Sequence, residues 1–363
     1  MSEPDETLRA QLEAWRDPFI ERSLGELGAI EALAASSTEI HLRLRLPVPV
    51  GGYQAELAAN LRDTLHRSGD ERPLALELVP GINMHAVQRP LKPQPGIRNI
   101  VAVGSAKGGV GKSTVAANLA AAWAAMGARV GLLDADVYGP SQPLMFGVAG
   151  VKPDTEGKKI LPVIAHGVKL MSIGFLVDAG QPVIWRGPMV TQALNQLLTE
   201  TAWGELDYLV LDLPPGTGDL QLTLAQKVPV AGSVVVTTPQ EIAVADARKG
   251  IAMFEKVSVA VLGVVENMSL HVCSHCGHQD AIFGAGGGER LAAECKVSLL
   301  GKLPLDSQVC VESDAGRPTV LAAADTARAR TWIELARRTA GALARRPRDR
   351  GGNFPNIVVE RSS

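Results

Sequence analysis

Residues Lys107 to Thr114 read KGGVGKST, and their setting decides the fold. Before them, Ile100-Val101-Ala102-Val103 is a short apolar run of strand type. After them, Val115 to Met126 is rich in Ala and Leu and reads as a helix. Strand, glycine-rich loop and helix, in that order, make a phosphate cradle. Gly108, Gly109 and Gly111 let the backbone take positive φ and approach phosphate oxygens closely. The N–H groups of the loop, from Gly108 through Val110 to Thr114, and the helix N-terminus then face the anion. Lys112 is placed to reach the β- and γ-phosphates, and the Ser113 hydroxyl to bind Mg²⁺.

The strict form of this loop has Gly five residues before Gly111. Here that position is Ala106, and a second lysine, Lys107, stands at the loop start. The chain therefore fits a deviant form of the Walker A loop. The plainer reading of Lys107 is a solvated lysine in a glycine-rich turn; the flanking strand and helix argue against it.

A chain of 363 residues can bury a large core and fits two domains. A net charge of −2 gives no global drive toward nucleic acid or an anionic membrane. No uncharged apolar run approaches the ~18 residues of a membrane span. The start, MSEPDETLRAQ, is acidic and polar, unlike a secretory signal. Four cysteines do not make a disulfide framework, so a reducing cytoplasm is the expected setting.

Residues 1–88 read as a small α+β domain. Leu8 to Leu33 is mostly helical in pattern, broken near Asp17-Pro18. Ile40, Leu42, Leu44 and Leu46 alternate with polar residues as in a half-buried strand. Glu56 to His66 reads as a helix and Leu74 to Val79 as a strand. Residues 89–97 carry three prolines and read as a semi-rigid linker. From 98 to 343 apolar strands alternate with helices: Val130 to Leu133, Tyr208 to Leu211, Val234 to Thr237 and Val259 to Val265 are continuous apolar runs. Such runs suit a mostly parallel sheet covered on both faces, and right-handed crossovers make it a doubly wound α/β domain. Its ligand belongs at the C-terminal strand ends. Trp332 to Leu343 is expected to pack onto the sheet, with a lipid-seeking face as the alternative. Residues 344–363 begin with a basic run and read as a solvated, partly disordered tail.

Two strands end in aspartate, at Leu133-Asp134-Ala135-Asp136 and at Leu211-Asp212. Asp212 fits the acid that holds Mg²⁺ opposite a phosphate loop. Asp136 could position the attacking water, and Asp134 could serve the metal or brace the loop. Capping of strand ends is the plain alternative for all three. Leu213-Pro214-Pro215-Gly216-Thr217-Gly218-Asp219 follows, stiff at one end and free at the other, as a γ-phosphate-sensing switch needs.

Cys273-Ser274-His275-Cys276 can bring two thiolates to one metal. Four ligands are needed, and no second such pair exists. Either His271, His275 or His278 completes a zinc site in cis, or an identical pair from a second subunit completes four thiolates on a two-fold axis. Cys295 and Cys310 are single and read as packed thiols.

Taken together, these residues resemble the Mrp/ApbC family of cytosolic iron–sulfur cluster carriers, within the MinD/ParA-like P-loop ATPases. The resemblance spans about residues 98 to 325. It rests on SAKGGVGKSTVAANLA from Ser105, DADVYGPS from Asp134, MSIGFL from Met171, WRGPMV from Trp185 and DLPPGTGD from Asp212. It continues through TTPQEIAVADARKGIAMFEKV from Thr237, GVVENMS from Gly263, CSHCG, IFGAGGG from Ile282 and LGKLPLD from Leu300. It implies that Lys107 reaches a partner subunit's ATP and that Asp136 and Asp212 belong to switch regions. It also implies that Asn267 hydrogen-bonds the adenine, and that Cys273 and Cys276 share a bridging 4Fe–4S cluster across a homodimer. The N-terminal unit resembles, more distantly, a domain of iron–sulfur assembly factors. The family usually has Gly where this chain has Ala106; if that position needs positive φ, Ala costs about 1 kcal/mol there.

The function expected is that of an ATP-hydrolysing carrier or scaffold that passes clusters to apoproteins, with no nucleic acid or membrane partner. The alternative is a MinD/ParA-like positioning protein with a structural zinc site. An electron-donating reductase fits less well, because its cysteines are expected far apart.

Overall fold

The computed structural model describes residues 3–176, 187–273, 275–322 and 324–349. Trp185 and Arg186 of the quoted motif, Ser274, and the tail beyond residue 349 lie outside the described residues.

Helix α1 (Glu3–Ala14) opens the N-terminal unit. Its sheet holds β1 (Ile30–Ala35), β2 (Ile40–Leu46) and β3 (Leu74–Pro80), with α2 (Gln54–Arg67) crossing between the last two. β1 and β2 are antiparallel, β2 and β3 parallel. β2 shows the expected alternation, with Ile40, Leu42, Leu44 and Leu46 buried. The helical reading of Leu8 to Leu33 is corrected here. The helix ends at Ala14, because Asp17 Oδ1 accepts the N–H groups of Phe19 and Ile20, both at 2.8 Å, and turns the chain. Ile30 to Ala35 has the Ala and Leu content of a helix, yet its ladder with β2 overrides that weak local preference.

The larger domain is an eight-stranded sheet. Its strands are β4 (Ile100–Gly104), β5 (Val130–Asp134), β6 (Val163–Ala165), β7 (Val168–Ser172), β8 (Tyr208–Asp212), β9 (Gly232–Thr237), β10 (Val261–Glu266) and β11 (Ser298–Lys302). The order is β6-β7-β5-β8-β4-β9-β10-β11, and only β6 and β7 pair antiparallel. β4, β5, β8 and β9 are buried along their whole length, which is why they read as unbroken apolar runs.

Helix α3 (Lys112–Ala125) follows the phosphate loop and is buried nearly all round. Its alanines let the sheet and the last helix, α4 (Ala327–Ala344), approach from opposite sides. Trp123 stacks on Tyr208 at 4.2 Å between ring centroids and donates to the Ala336 carbonyl at 3.0 Å. α4 buries Trp332, Leu335, Ala336, Ala340 and Leu343. Its apolar face is thus used inside the fold, as expected, and not as the lipid-seeking alternative had it.

The two units share one continuous apolar core. Arg337 of α4 donates to Glu56 at 2.7 Å and to the Gly52 carbonyl at 3.0 Å, while its guanidinium lies over the rings of Tyr53 and Phe19. Gln88, just before the proline-rich segment, is buried and anchored by Ala225, Val228 and Val230. The first residues of the expected loose tail are docked instead. Arg345 donates to the Ile20 carbonyl, Ala86 donates to the Pro347 carbonyl, and Asp349 donates to the Met84 carbonyl.

Candidate functional site

Parallel register brings the acidic strand ends together. Asp212 pairs in register with Asp134 on one side and with Val103, at the end of β4, on the other. The phosphate loop leaves β4 at this same edge. Gly109 and Gly111 take φ of 81° and 85°, and a Cβ on Gly108 or Gly109 would meet no atom within 4 Å. The loop is an open cradle, and the first turn of α3 has no side-chain cap, so its N–H groups face that opening. Ala106 is not at positive φ, and its Cβ lies where a Cβ on Gly250 would stand 3.5 Å away. The strain foreseen for alanine there does not exist, because the glycine-requiring turn falls at Gly109 and Gly111.

Lys112 Nζ donates to Asp212 Oδ1 at 2.5 Å and to Ser113 Oγ at 3.0 Å, and stands 3.7 Å from Asp136 Oδ2. Lys112, Asp134, Asp136 and Asp212 are all buried. Burial raises the Asp136 carboxyl above its ordinary range, opposed by the nearby Lys112. Burial and the Asp212 carboxylate raise Asp134 as well. Three acids against one lysine leave a deficit of positive charge that a divalent cation would correct. Asp134 braces the loop: it accepts the N–H groups of Asp136 and Gln142 and the Ser172 hydroxyl, each at 3.1 Å. The segment after Asp212 touches the cradle where the Gly216 N–H donates to the Ser105 carbonyl at 2.9 Å.

Asn267 follows β10 and crosses under the loop, donating to the Val110 carbonyl at 2.9 Å. It lines a cavity of about 260 Å³ with Gly111, Thr114, Met268, Pro304 and Asp306. That space adjoins the phosphate loop as a base pocket must. A larger groove of about 730 Å³, between Gly187–Glu200 and Asp219–Lys227, contains no phosphate-loop residue, so size does not mark the nucleotide site. Cys310 is exposed on the rim of the smaller cavity, not packed as expected; Cys295 is half-buried. Lys107 is half-buried at the loop start and makes no ion pair with a described residue.

The chain after Asn267 runs beside residues 303–305, through the Ser269 N–H on the Leu303 carbonyl and the Leu305 N–H on the Leu270 carbonyl. It then forms a small hairpin, His271–Val272 against Gln279–Asp280, whose turn carries Cys273 and Cys276. The Cys273 N–H donates to the His278 carbonyl, and the Gly277 N–H donates to the Cys273 carbonyl, both at 2.9 Å. N–H groups of Cys276 and His275 directed at the Cys273 thiol hold it below the usual thiol range. Among the described residues, no third His, Cys, Asp or Glu side chain joins Cys273 and Cys276 in a group that could hold a metal ion. His271 is turned away, donating Nδ1–H to the Leu305 carbonyl at 3.1 Å. The hairpin presents two thiols at metal-ligand spacing and, among the described residues, no third ligand beside them.

Sequence reasoning did not single out Gln142, which bonds both Ser113 and Asp212. Its only local signal was the rigid Gly139-Pro140-Ser141-Gln142-Pro143 run, which starts three residues beyond Asp136.

The family described as ParA, NUBPL iron-transfer P-loop NTPase, matches residues 96–340. An iron-sulfur cluster carrier protein of Pseudomonas fragi is 58% identical over 254 residues, covering 69% of this chain and 88% of that protein. One of Escherichia coli (strain K12) is 46% identical over 346 residues, 93% of each chain. Among solved structures, a nucleotide-binding protein of Archaeoglobus fulgidus in complex with ADP is 43% identical with a TM-score of 0.56, covering 61% of this chain and 88% of that one.

Proposed function

We propose a function from one premise: the chain belongs to the ParA family of NUBPL iron-transfer P-loop NTPases. It is a nucleotide-binding iron–sulfur cluster carrier. Its full-length relatives carry that name, and its match to one of them runs through the N-terminal unit as well. The observation that carries the reading is the pairing, in one chain, of an open phosphate cradle with a turn, begun six residues beyond Asn267, that carries a half-buried Cys273 and an exposed Cys276.

The nucleotide is ATP, and the chain hydrolyses it. Phosphate oxygens draw Lys112 from Asp212 toward the β- and γ-phosphates. Ser113 Oγ and the Asp212 carboxylate would hold Mg²⁺, which would supply charge neutralisation at those phosphates. Asp136 orients a water and takes its proton as the oxygen bonds Pγ and the bond from Pγ to the β-phosphate oxygen breaks, giving ADP and phosphate. Asn267 and the cavity beside it hold the adenine. Lys107, at the loop start and without an ion pair among the described residues, reaches the partner subunit's nucleotide.

The cargo is a 4Fe–4S cluster held by Cys273 and Cys276 together with the same pair of a second subunit. Two thiols fill half of a four-ligand set, so a homodimer supplies the rest. The exposed apolar side chains of Tyr138, Leu144 and Leu176, which follow the C-terminal ends of β5 and β7, support an interface on this edge. Apoproteins receive the cluster, and four free cysteines suit the reducing cytoplasm. The positioning-protein alternative is not favoured: its lipid-seeking helix is buried, and the relatives at high identity are carriers.

Anaerobic reconstitution tests the reading. Iron and sulfide at one four-iron cluster per dimer are expected, with ATP turnover in the same preparation. Unchanged iron in a Cys273→Ala, Cys276→Ala double variant, or stoichiometric zinc alone in the native protein, would sink the assignment.

A further inference from the structure

Gln142 is fully buried and makes contacts that the reaction as described above does not use. Its Nε2 donates to the Ser113 carbonyl at 2.9 Å and to Asp212 Oδ2 at 2.8 Å. Both partners are acceptors only, so the amide has one orientation: turned over, its oxygen would face two oxygens. Its own N–H is held by Asp134, which also holds the Asp136 N–H. One side chain therefore ties together the helix that carries Lys112, the end of β8 and the loop that carries Asp136.

Two further observations point to a ligand. Gln142 Oε1 is buried with no hydrogen-bond partner, and so is Ser141 Oγ beside it in sequence. A buried acceptor two bonds from a donor that grips Asp212 awaits a donor, and water on a bound cation is one. The segment is also stiff. Pro140 and Pro143 bracket it, and Pro140 packs so closely on Gly174 that a Cβ there would come within 2.9 Å of it.

We propose that Gln142 is a positioning residue for the divalent cation of the nucleotide site. By holding Asp212 through Oδ2, it keeps Oδ1 turned toward the position that Lys112 vacates when phosphate arrives. Its free Oε1 accepts from a water on the cation. Gln142 thus acts on the metal through Asp212 and water, and it fixes the Asp136 loop to the same frame. The inference rests on the Mg²⁺–ATP reading given above.

The test is a Mg²⁺ titration of fluorescent N-methylanthraniloyl-ATP binding to the full chain, in wild type, Gln142→Met and Gln142→Glu. Met keeps the volume and removes the amide; Glu keeps the reach, loses both donors and sets a second charge beside Asp212. In each variant the half-effect Mg²⁺ concentration is expected to shift about tenfold or more, the usual effect of losing a group that orients a metal ligand. In Gln142→Met, affinity for the nucleotide in EDTA stays within about twofold, because no N–H group that faces phosphate is altered; Gln142→Glu, whose added charge also faces the anion, is read through its Mg²⁺ half-point alone. A merely structural Gln142 would lower the melting temperature and leave the Mg²⁺ half-point in place, which overturns the proposal. Should a variant fail to fold, ¹⁵N-glutamine-labelled wild type answers the question: the Gln142 amide pair moves when Mg²⁺ joins the ADP-bound protein, and a still pair overturns it. Wild type that binds no nucleotide sinks the Mg²⁺–ATP reading and this inference with it, a result distinct from an unmoved Mg²⁺ half-point in protein that does bind.

Discussion

Lys112 Nζ sits 2.5 Å from Asp212 Oδ1, so the lysine expected on phosphate and the acid expected on metal are bonded to each other. A buried lysine left alone beside β8 would be costly, and so would a buried Asp212. Each therefore satisfies the other in the folded chain, and the buried acids around the pair govern its response to pH.

Asp134 is fully buried, and burial together with Asp212 raises its pKa from 3.8 to about 7. Between those values the folded chain binds more protons than the unfolded one. The penalty is therefore absent below the lower value, grows as pH rises, and levels off above the upper one. In EDTA, melting of the wild type is expected to fall from about pH 5 to about pH 7 relative to Asp134→Asn. Parallel curves for the two proteins would show that Asp134 does not titrate in this range.

Gly111 carries two constraints that can be separated. Its φ is 85°, and an ideal Cβ would lie 2.1 Å from Asn267 Nδ2. Gly111→Ala is expected to lose at least about 1 kcal/mol from φ alone, and more from the clash. Adding Asn267→Ala removes the clash and also its bond to the Val110 carbonyl, so in a denaturant double-mutant cycle the double variant is expected to lose less than the sum of the two single losses. Strict additivity of the two changes would contradict the geometry.

Arg337 fastens the N-terminal unit to α4 with two hydrogen bonds and stacking at 4.5 Å from the Tyr53 ring centre. Arg337→Ala should lower stability by about 2 kcal/mol, and Lys should not restore it, since it lacks the planar fork. Proteolysis should then cut faster within residues 89–97, while nucleotide affinity holds. Unchanged cutting would mean that the shared core alone keeps the units together.

Cys273 is held below the usual thiol range by neighbouring N–H groups, whereas burial raises Cys295 above it. More thiolate at a given pH means faster alkylation. In the metal-free protein near neutral pH, iodoacetamide should label Cys273 well ahead of Cys295, as followed by peptide mass spectrometry. Equal rates would show that the hairpin does not pre-form a thiolate.

The sequence by itself determined the parallel α/β domain, the phosphate loop and the thiol pair. Each is a local pattern: fully apolar strands, glycines beside a lysine, two cysteines at metal spacing. It also carried the strand-end aspartates, because a parallel sheet must gather those ends on one edge. Only the tertiary structure decided what each group touches. Ile30 to Ala35 became a strand because a partner strand offered a ladder, which no local preference reports. Ala106 proved unstrained because the turn spends its positive φ at Gly109 and Gly111. Asp134 proved a brace and Gln142 a link between Ser113 and Asp212. Those roles depend on angstrom-scale contacts between residues up to 100 positions apart, such as Lys112 and Asp212. Such contacts are fixed by packing and charge in the folded chain, and no short stretch of sequence contains them.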